Sequence, residues 1–200
     1  MKTAKGAAMT LYHYFDKRTG PFRNLSDLPP EGAQSVLADA RRNYPASQPA
    51  SRDENYMQRR YGYEETARRL FADMGGKIER EAPHFLCVEE CAWLYTWYEQ
   101  PAYVAIPFEE FDASTLSFTY GDLHPTFSPI VTDGLEYRRK LYMLDGITDI
   151  IARYGLPQTH EYRGELGFPR YVEAHAWSDE TVRRFSSECF WQDAPPKKTY

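Results

Sequence analysis

Two hydrophobic periods organise the chain. Residues 171–177, YVEAHAW, alternate strictly, with Tyr171, Glu173, His175 and Trp177 on one strand face and Val172, Ala174 and Ala176 on the other. The aromatic run 11–15, LYHYF, reads the same way: Leu11, His13 and Phe15 on one face, Tyr12 and Tyr14 on the other. Residues 84–88, 116–120 and 140–143 predict further strands, and 103–106 is apolar on both faces, as an interior strand with a neighbour on each edge would be. The helical period appears three times. Ala33, Val36, Leu37 and Ala40 form one stripe behind Pro29-Pro30, where proline suits a first turn. Ala67, Leu70, Phe71 and Met74 share a face of a helix over 54–74 that Gly75-Gly76 ends. Ile147, Ile150, Ile151 and Tyr154 follow Asp145 as N-cap and stop at Gly155 and Pro157. Ser178 predicts the cap of a short helix to 185, and 91–98, CAWLYTWY, suits a strand or a short helix equally.

Helices come early and strands gather between 84 and 177, without the regular alternation of a doubly wound parallel sheet. That order predicts an α+β fold: a mixed or mostly antiparallel sheet with helices packed on it, in a single domain over 9–190 with loose ends at 1–8 and 191–200. The breaker-rich segment 44–53, YPASQPASRD, reads as a loop inside that domain, because neither flank would fold alone.

Composition narrows the classes. Net charge is −5, and the basic pairs are interleaved with acids, so stable non-specific nucleic-acid binding is not expected. The N-terminal segment lacks the apolar run of a signal peptide and no window reaches the roughly 20 apolar residues of a membrane span, which predicts a soluble, cytoplasmic protein. Cys87, Cys91 and Cys189 are then expected to stay reduced, and the lone C-x3-C pair is a poor zinc site, so no metal is expected. The aromatic share is 16 %, with 16 Tyr and 4 Trp, which suits a mixed core or an aromatic-walled pocket.

Chemistry is announced by no single motif. The Walker loop, the dinucleotide glycine fingerprint, the G-x-S-x-G elbow and H-E-x-x-H are all missing. The candidates are polar residues at strand positions and in the crowded stretch 108–129, FEEFDASTLSFTYGDLHPTFSP. His13 lies centrally in the first strand; Tyr120 and Asp122 leave the 116–120 strand on its Leu116/Phe118 face. Glu173 and His175 share a strand face, with Cβ atoms roughly 7 Å apart at about 3.3 Å rise per residue, close enough to cooperate in acid–base work. Alternating strands also point such pairs into water, and a strand histidine among aromatics is commonly a satisfied core residue. Trp177 flanks the Glu173 face.

The strings LYHYFDKRTGPFRNLSDLP, CAWLYTWYEQPAYVAIPFEEFD and SFTYGDLHPTFSP resemble a family of uncharacterised bacterial proteins over most of the chain from 9 to about 179. More distantly, His13 in LYHY, Tyr120 in SFTYGD and Glu173 in YVEAHAW resemble, in that order, the ADP-ribosyltransferase superfamily. That resemblance implies NAD as substrate, with His13 holding a ribose, Tyr120 stacking on the nicotinamide and Glu173 stabilising an oxocarbenium-like transition state; residues 16–28 depart from the NAD-binding loop of those enzymes. It requires His13, an aromatic from 118–120 and Glu173 to line one pocket. The alternatives are a non-catalytic module that holds a small ligand or peptide in an aromatic cleft, and a hydrolase built on Glu173, His175 and Asp122. Oligomeric state and partners are not legible.

Overall fold

A computed structural model of the chain describes residues 9–161, 164 and 167–195. The strands are β1 (Thr10–Asp16), β2 (His84–Val88), β3 (Pro101–Pro107), β4 (Leu116–Tyr120), β5 (Val172–Ala176) and β6 (Gln192–Asp193). The helices are α1 (Pro30–Asn43), α2 (Tyr56–Asp73), α3 (Ala92–Tyr95), α4 (Leu123–Phe127), α5 (Leu144–Tyr154) and α6 (Glu180–Arg184). The strands form one sheet in the order β4-β5-β2-β1-β3-β6, antiparallel at every pairing. The α+β class and the antiparallel sheet are therefore as the sequence predicts.

Register decides which side chains share a face, because residues directly opposite in antiparallel strands point the same way. Leu86 opposes Ala174, which opposes Phe118, while Leu11 opposes both Val88 and Ile106. These residues build the main apolar core with Ile147 and Ile150 of α5 and Val182 of α6. The other face carries Tyr12 opposite Cys87, Cys87 opposite Glu173, and Glu173 opposite Thr119. Over it lie α3, which closes an aromatic and thiol cluster with Tyr14, Cys87 and Tyr171, and α2, whose Ala67 and Phe71 pack with Leu123 and Trp177. Helix α1 stacks on α2 through Ala33, Leu37 and Met57, one layer further out. Helices thus cover both faces, and β5 is buried at all five positions.

Several elements differ from the sequence reading. Strand β3 has neighbours on both edges, but β6 pairs with it only at Ala102 and Tyr103, so its interior position is partial. Tyr103 and Ala105 are half-buried where Val104 and Ile106 are enclosed. Residues 140–143 make one bridge, Tyr142 to Phe118, and no strand. The N-cap of α5 is Met143, which puts Asp145 in the first turn, where a carboxylate still favours the helix dipole. Residues 91–98 resolve into α3, with Cys91 as N-cap. Ser178 does act at the start of α6, its hydroxyl accepting the Glu180 N–H at 3.2 Å. Residues 191–195 are held down by β6 and by Trp191 against Phe15, while 1–8 and 196–200 lie outside the described residues. No helix among the described residues is long and apolar enough to cross a membrane.

Candidate functional site

His13 and Glu173 lie on opposite faces of the sheet. His13 opposes Val104 on the core face, between Leu11 and Phe15. Its Nε2 accepts the Phe22 N–H at 2.8 Å, which leaves the hydrogen on Nδ1, donated to the Phe85 carbonyl at 2.9 Å. The Phe22 ring stacks on the imidazole at 4.2 Å between centroids, and Phe22 itself sits at φ 56, a conformation a bulky residue keeps only when its surroundings fix it. Burial depresses the His13 pKa to about 4, against the Phe85 carbonyl that supports the charged form. His13 is the peg of the 16–23 loop, and both its nitrogens are engaged.

Tyr120 keeps the Leu116/Phe118 face that the alternation predicts, and this places it in the apolar core. Its ring meets Tyr137 at 4.7 Å and Tyr154 at 5.8 Å, and its hydroxyl donates to the Gly155 carbonyl at 3.0 Å. The trio His13, Tyr120 and Glu173 is therefore not gathered in one pocket. The reason is register: Tyr120 opposes Val172, one residue from Glu173 and so on the opposite face.

The structure instead gathers Glu173, His175, Asp122 and Trp177 on the helix α2/α4 side, with Tyr171, which the alternation places on the same face, and one residue the sequence reading did not single out, Ser117. The Trp177 Nε1–H donates to Ser117 Oγ at 2.9 Å, Ser117 Oγ meets His175 Nδ1 at 3.2 Å, and His175 Nε2 meets Glu173 Oε2 at 3.2 Å. A carboxylate only accepts, so Nε2 carries a hydrogen and Nδ1 takes the serine hydroxyl hydrogen; the chain runs one way from indole to carboxylate. Glu173 also receives the Leu123 N–H at 3.0 Å and the Tyr171 hydroxyl at 3.1 Å. Three donors hold this enclosed carboxylate, which is how a buried charge is tolerated. Alternation alone points the Glu173 face at water or a cleft; in the structure α2 and α4 cover it and Glu173 is buried. Ser117 is fully enclosed.

Gly121, at φ 107, turns the chain out of β4, and a Cβ there would meet Pro169 at 3.3 Å. That turn swings Asp122 off the Tyr120 face to the start of α4, where its carboxylate accepts the His124 N–H at 2.9 Å. Burial first, and the Glu173 charge second, push the Asp122 pKa up to about 7, against the pull of Arg52, Arg138 and the His124 N–H. Asp122 nevertheless keeps some contact with solvent.

This shift has a testable sign. Between 3.8 and about 7 the folded chain holds a proton on Asp122 that the unfolded chain has lost, so its contribution to stability declines as pH rises through that window. His13, with a folded pKa depressed to about 4, works the other way below 6.5. The clean observable is therefore a difference: Asp122→Asn should melt higher than the unsubstituted protein at pH 8, and the gap should close toward pH 4. A gap of equal size at both pH values would refute the buried-acid assignment.

Segment 44–53, read from sequence as a loop, contains a 3-10 turn at Gln48–Ser51 that docks on the residues just after α3 through the Gln48 N–H to the Trp97 carbonyl at 3.0 Å. It delivers Arg52, whose guanidinium lies 4.2 Å from the Tyr56 ring centroid and 5.4 Å from that of Trp97. Beside it Arg60 bonds Glu64 and Ser26 Oγ at 2.8 and 2.9 Å and stacks on Phe85, whose ring meets His175. Arg52 was invisible to motif reading; the signal was an arginine directly after a proline-bounded turn.

Cys87 and Cys91 are both buried on this face. Burial, then the neighbouring Cys91 thiol, raise the Cys87 pKa, while the hydrogen bond from Cys87 lowers that of Cys91. Among the described residues no group of three or more candidate ligands could hold a metal, and two thiols alone make a poor zinc site. Purified protein should therefore contain no stoichiometric zinc by elemental analysis, and a chelator should leave its melting temperature unchanged; one equivalent per chain would overturn this.

No protein-family model, no curated protein and no solved structure matches the chain.

Proposed function

We propose that the protein is an enzyme that breaks a glycosidic bond, with Glu173 as an enclosed carboxylate whose charge stabilises the transition state and Asp122, which keeps some contact with solvent, as the proton donor. The observation that carries this reading is a pair of neighbouring carboxyl groups in unlike environments. Glu173 accepts three hydrogen bonds, whereas burial and the Glu173 charge favour the protonated form of Asp122 up to about 7. Acids held in such contrasting environments divide into a charge stabiliser and a proton donor. The Glu173 charge stabilises the positive charge that develops at the anomeric carbon, the Asp122 proton passes to the leaving oxygen or nitrogen as the glycosidic bond breaks, and water or another acceptor hydroxyl then bonds to that carbon and returns its proton to Asp122. Ser117 is bonded to both Trp177 and His175, so the serine–histidine–glutamate chain serves to orient Glu173.

A transferase that uses NAD would require His13, an aromatic from 118–120 and Glu173 in one pocket, and the opposite faces of His13 and Glu173 count against that narrower reading. The test is chromatography of NAD, nucleosides and aryl glycosides after incubation, comparing the protein with its Glu173→Gln variant. Release of nicotinamide, base or aglycone only by the unsubstituted protein supports the reading. The full satisfaction of the Trp177–Ser117–His175–Glu173 chain favours a second reading, a non-catalytic ligand-binding module. Binding without turnover of any of these compounds would establish that second reading in its place.

A further inference from the structure

We infer that the protein has a second ligand site, for a small organic polyanion, in the cavity between α6 and the 17–23 loop. Strands β1 and β2 pair only at Leu11–Val88 and Tyr12–Cys87, and beyond Tyr12 their ladder stops. Past that point the 17–23 loop, His84 at the start of β2, α6 and Trp191 line a cavity of about 800 Å³. Small-molecule sites span roughly 300–1,000 Å³, so the space suits an organic ligand better than a bare ion. His84 lies two residues from Leu86 along β2 and so shares the core face of the sheet, opposite to Glu173. The cavity is therefore separate from the Glu173 site and draws on none of its chemistry.

Cations outnumber carboxylates on its walls. Arg80 and Arg183 both pair with Asp179, which His84 Nε2 also meets at 2.8 Å, so one carboxylate faces two guanidinium groups and an imidazole. Arg80 also reaches Asp27, and Glu188 is the third acid of the lining. Lys17 and Arg18 line the cavity too, whereas their carboxylate partners, Asp193, Asp16 and Glu99, are not part of the wall. Arg23, exposed and also in the lining, has no carboxylate within ion-pair distance among the described residues. A guanidinium only donates, and its fork matches the oxygens of phosphate and carboxylate alike. Arg23 and Arg183 are the exposed arginines of the wall, and an exposed pair such as Arg183–Asp179 yields readily to a ligand, because it contributes little to stability. The half-buried Trp191 ring, packed on Phe15, offers an apolar surface to the carbon part of the ligand.

The experiment measures binding and needs no turnover. ADP, citrate and adenosine are titrated calorimetrically into the full chain and into Arg23→Gln, Arg183→Gln, Arg184→Gln and Glu173→Gln. At least one of the two polyanions should bind where adenosine does not, and the tighter of them identifies phosphate or carboxylate as the anionic group. Arg23→Gln and Arg183→Gln, exposed positions that cost little stability, should each weaken binding about tenfold, the usual effect of one charge-assisted hydrogen bond. Arg184 pairs with Glu110 outside the cavity, so Arg184→Gln removes the same charge and should leave affinity within about twofold. Glu173→Gln should do likewise, because it lies on the other face. Binding by neither polyanion, equal binding of adenosine, or unchanged affinity in both Arg23→Gln and Arg183→Gln would overturn the assignment. So would a loss in Arg184→Gln or Glu173→Gln as large as that in the cavity variants.

Discussion

Replacing Glu173 by Gln should abolish turnover while leaving the protein folded. The substitution preserves shape and one acceptor. With the amide oxygen turned toward Leu123 and His175, their two N–H groups remain satisfied, and the amide NH2 can donate to the Tyr171 oxygen once that hydroxyl rotates. The expected stability cost is about 1 kcal/mol, the net value of one altered hydrogen bond. What disappears is the negative charge. Removing a preorganised electrostatic group from a catalytic site costs on the order of 100- to 1000-fold in rate, and an oxocarbenium-like centre depends on that charge directly. Glu173→Ala separates the two effects. It leaves the Leu123 N–H, the Tyr171 hydroxyl and the His175 Nε2–H without their acceptor, so it should lose activity and also several kcal/mol of stability. Equal activity of Glu173→Gln and the unsubstituted protein, with a normal melting curve, would remove Glu173 from the chemistry.

The sequence shows some levels of this architecture and hides others for a physical reason. Strand β2 was legible to the residue, and β5 nearly so, because alternation and the apolar character of 84–88 are local properties. The pairing of His13 with Leu11 and Phe15, and of Glu173 with His175 and Trp177, was legible for the same reason. What no local pattern contains is the order of strands and their register. Cys87 opposes both Tyr12 and Glu173, so the residues of β1 that share a face with Glu173 are Tyr12 and Tyr14, not His13. A one-residue change in register would have reversed that. The same limit explains why alternation alone points Glu173 at water or a cleft. Polar positions on an alternating strand mean solvent only when one face is open; here helices cover both, and the polar residues satisfy one another across strands, Ser117 with His175 and Trp177. Arg52 lay in a segment read as a plain loop, since only the docking of its 3-10 turn on the residues just after α3 brings it near Asp122.

The largest stability effect is expected at Trp177. Its side chain is fully enclosed at the end of β5, stacked on Phe71 of α2 at 5.9 Å between centroids and packed with Ala67 and Leu123, so it joins the sheet to both α2 and α4. Truncation to alanine removes an indole from a close-packed region that can relax only in part, a change that typically costs about 3–5 kcal/mol. For a domain whose whole stability is about 5–15 kcal/mol, that is a large fraction, and in a chain of this size it corresponds to a fall of roughly 6–20 °C in melting temperature. Trp177→Phe divides the loss into its parts. The ring against Phe71 is retained, whereas Ser117 Oγ loses its indole donor, so the expected cost is about 1–2 kcal/mol. Circular dichroism melts of the two variants measure both numbers. The Ser117 hydroxyl, released from Trp177, is then free to rotate away from His175 Nδ1, and His175 loses the partner that fixes its ring against Glu173. Trp177→Phe should therefore lower turnover more than its modest melting shift suggests. A variant as active as the unsubstituted protein would show that the hydrogen-bond chain stabilises the sheet without orienting Glu173.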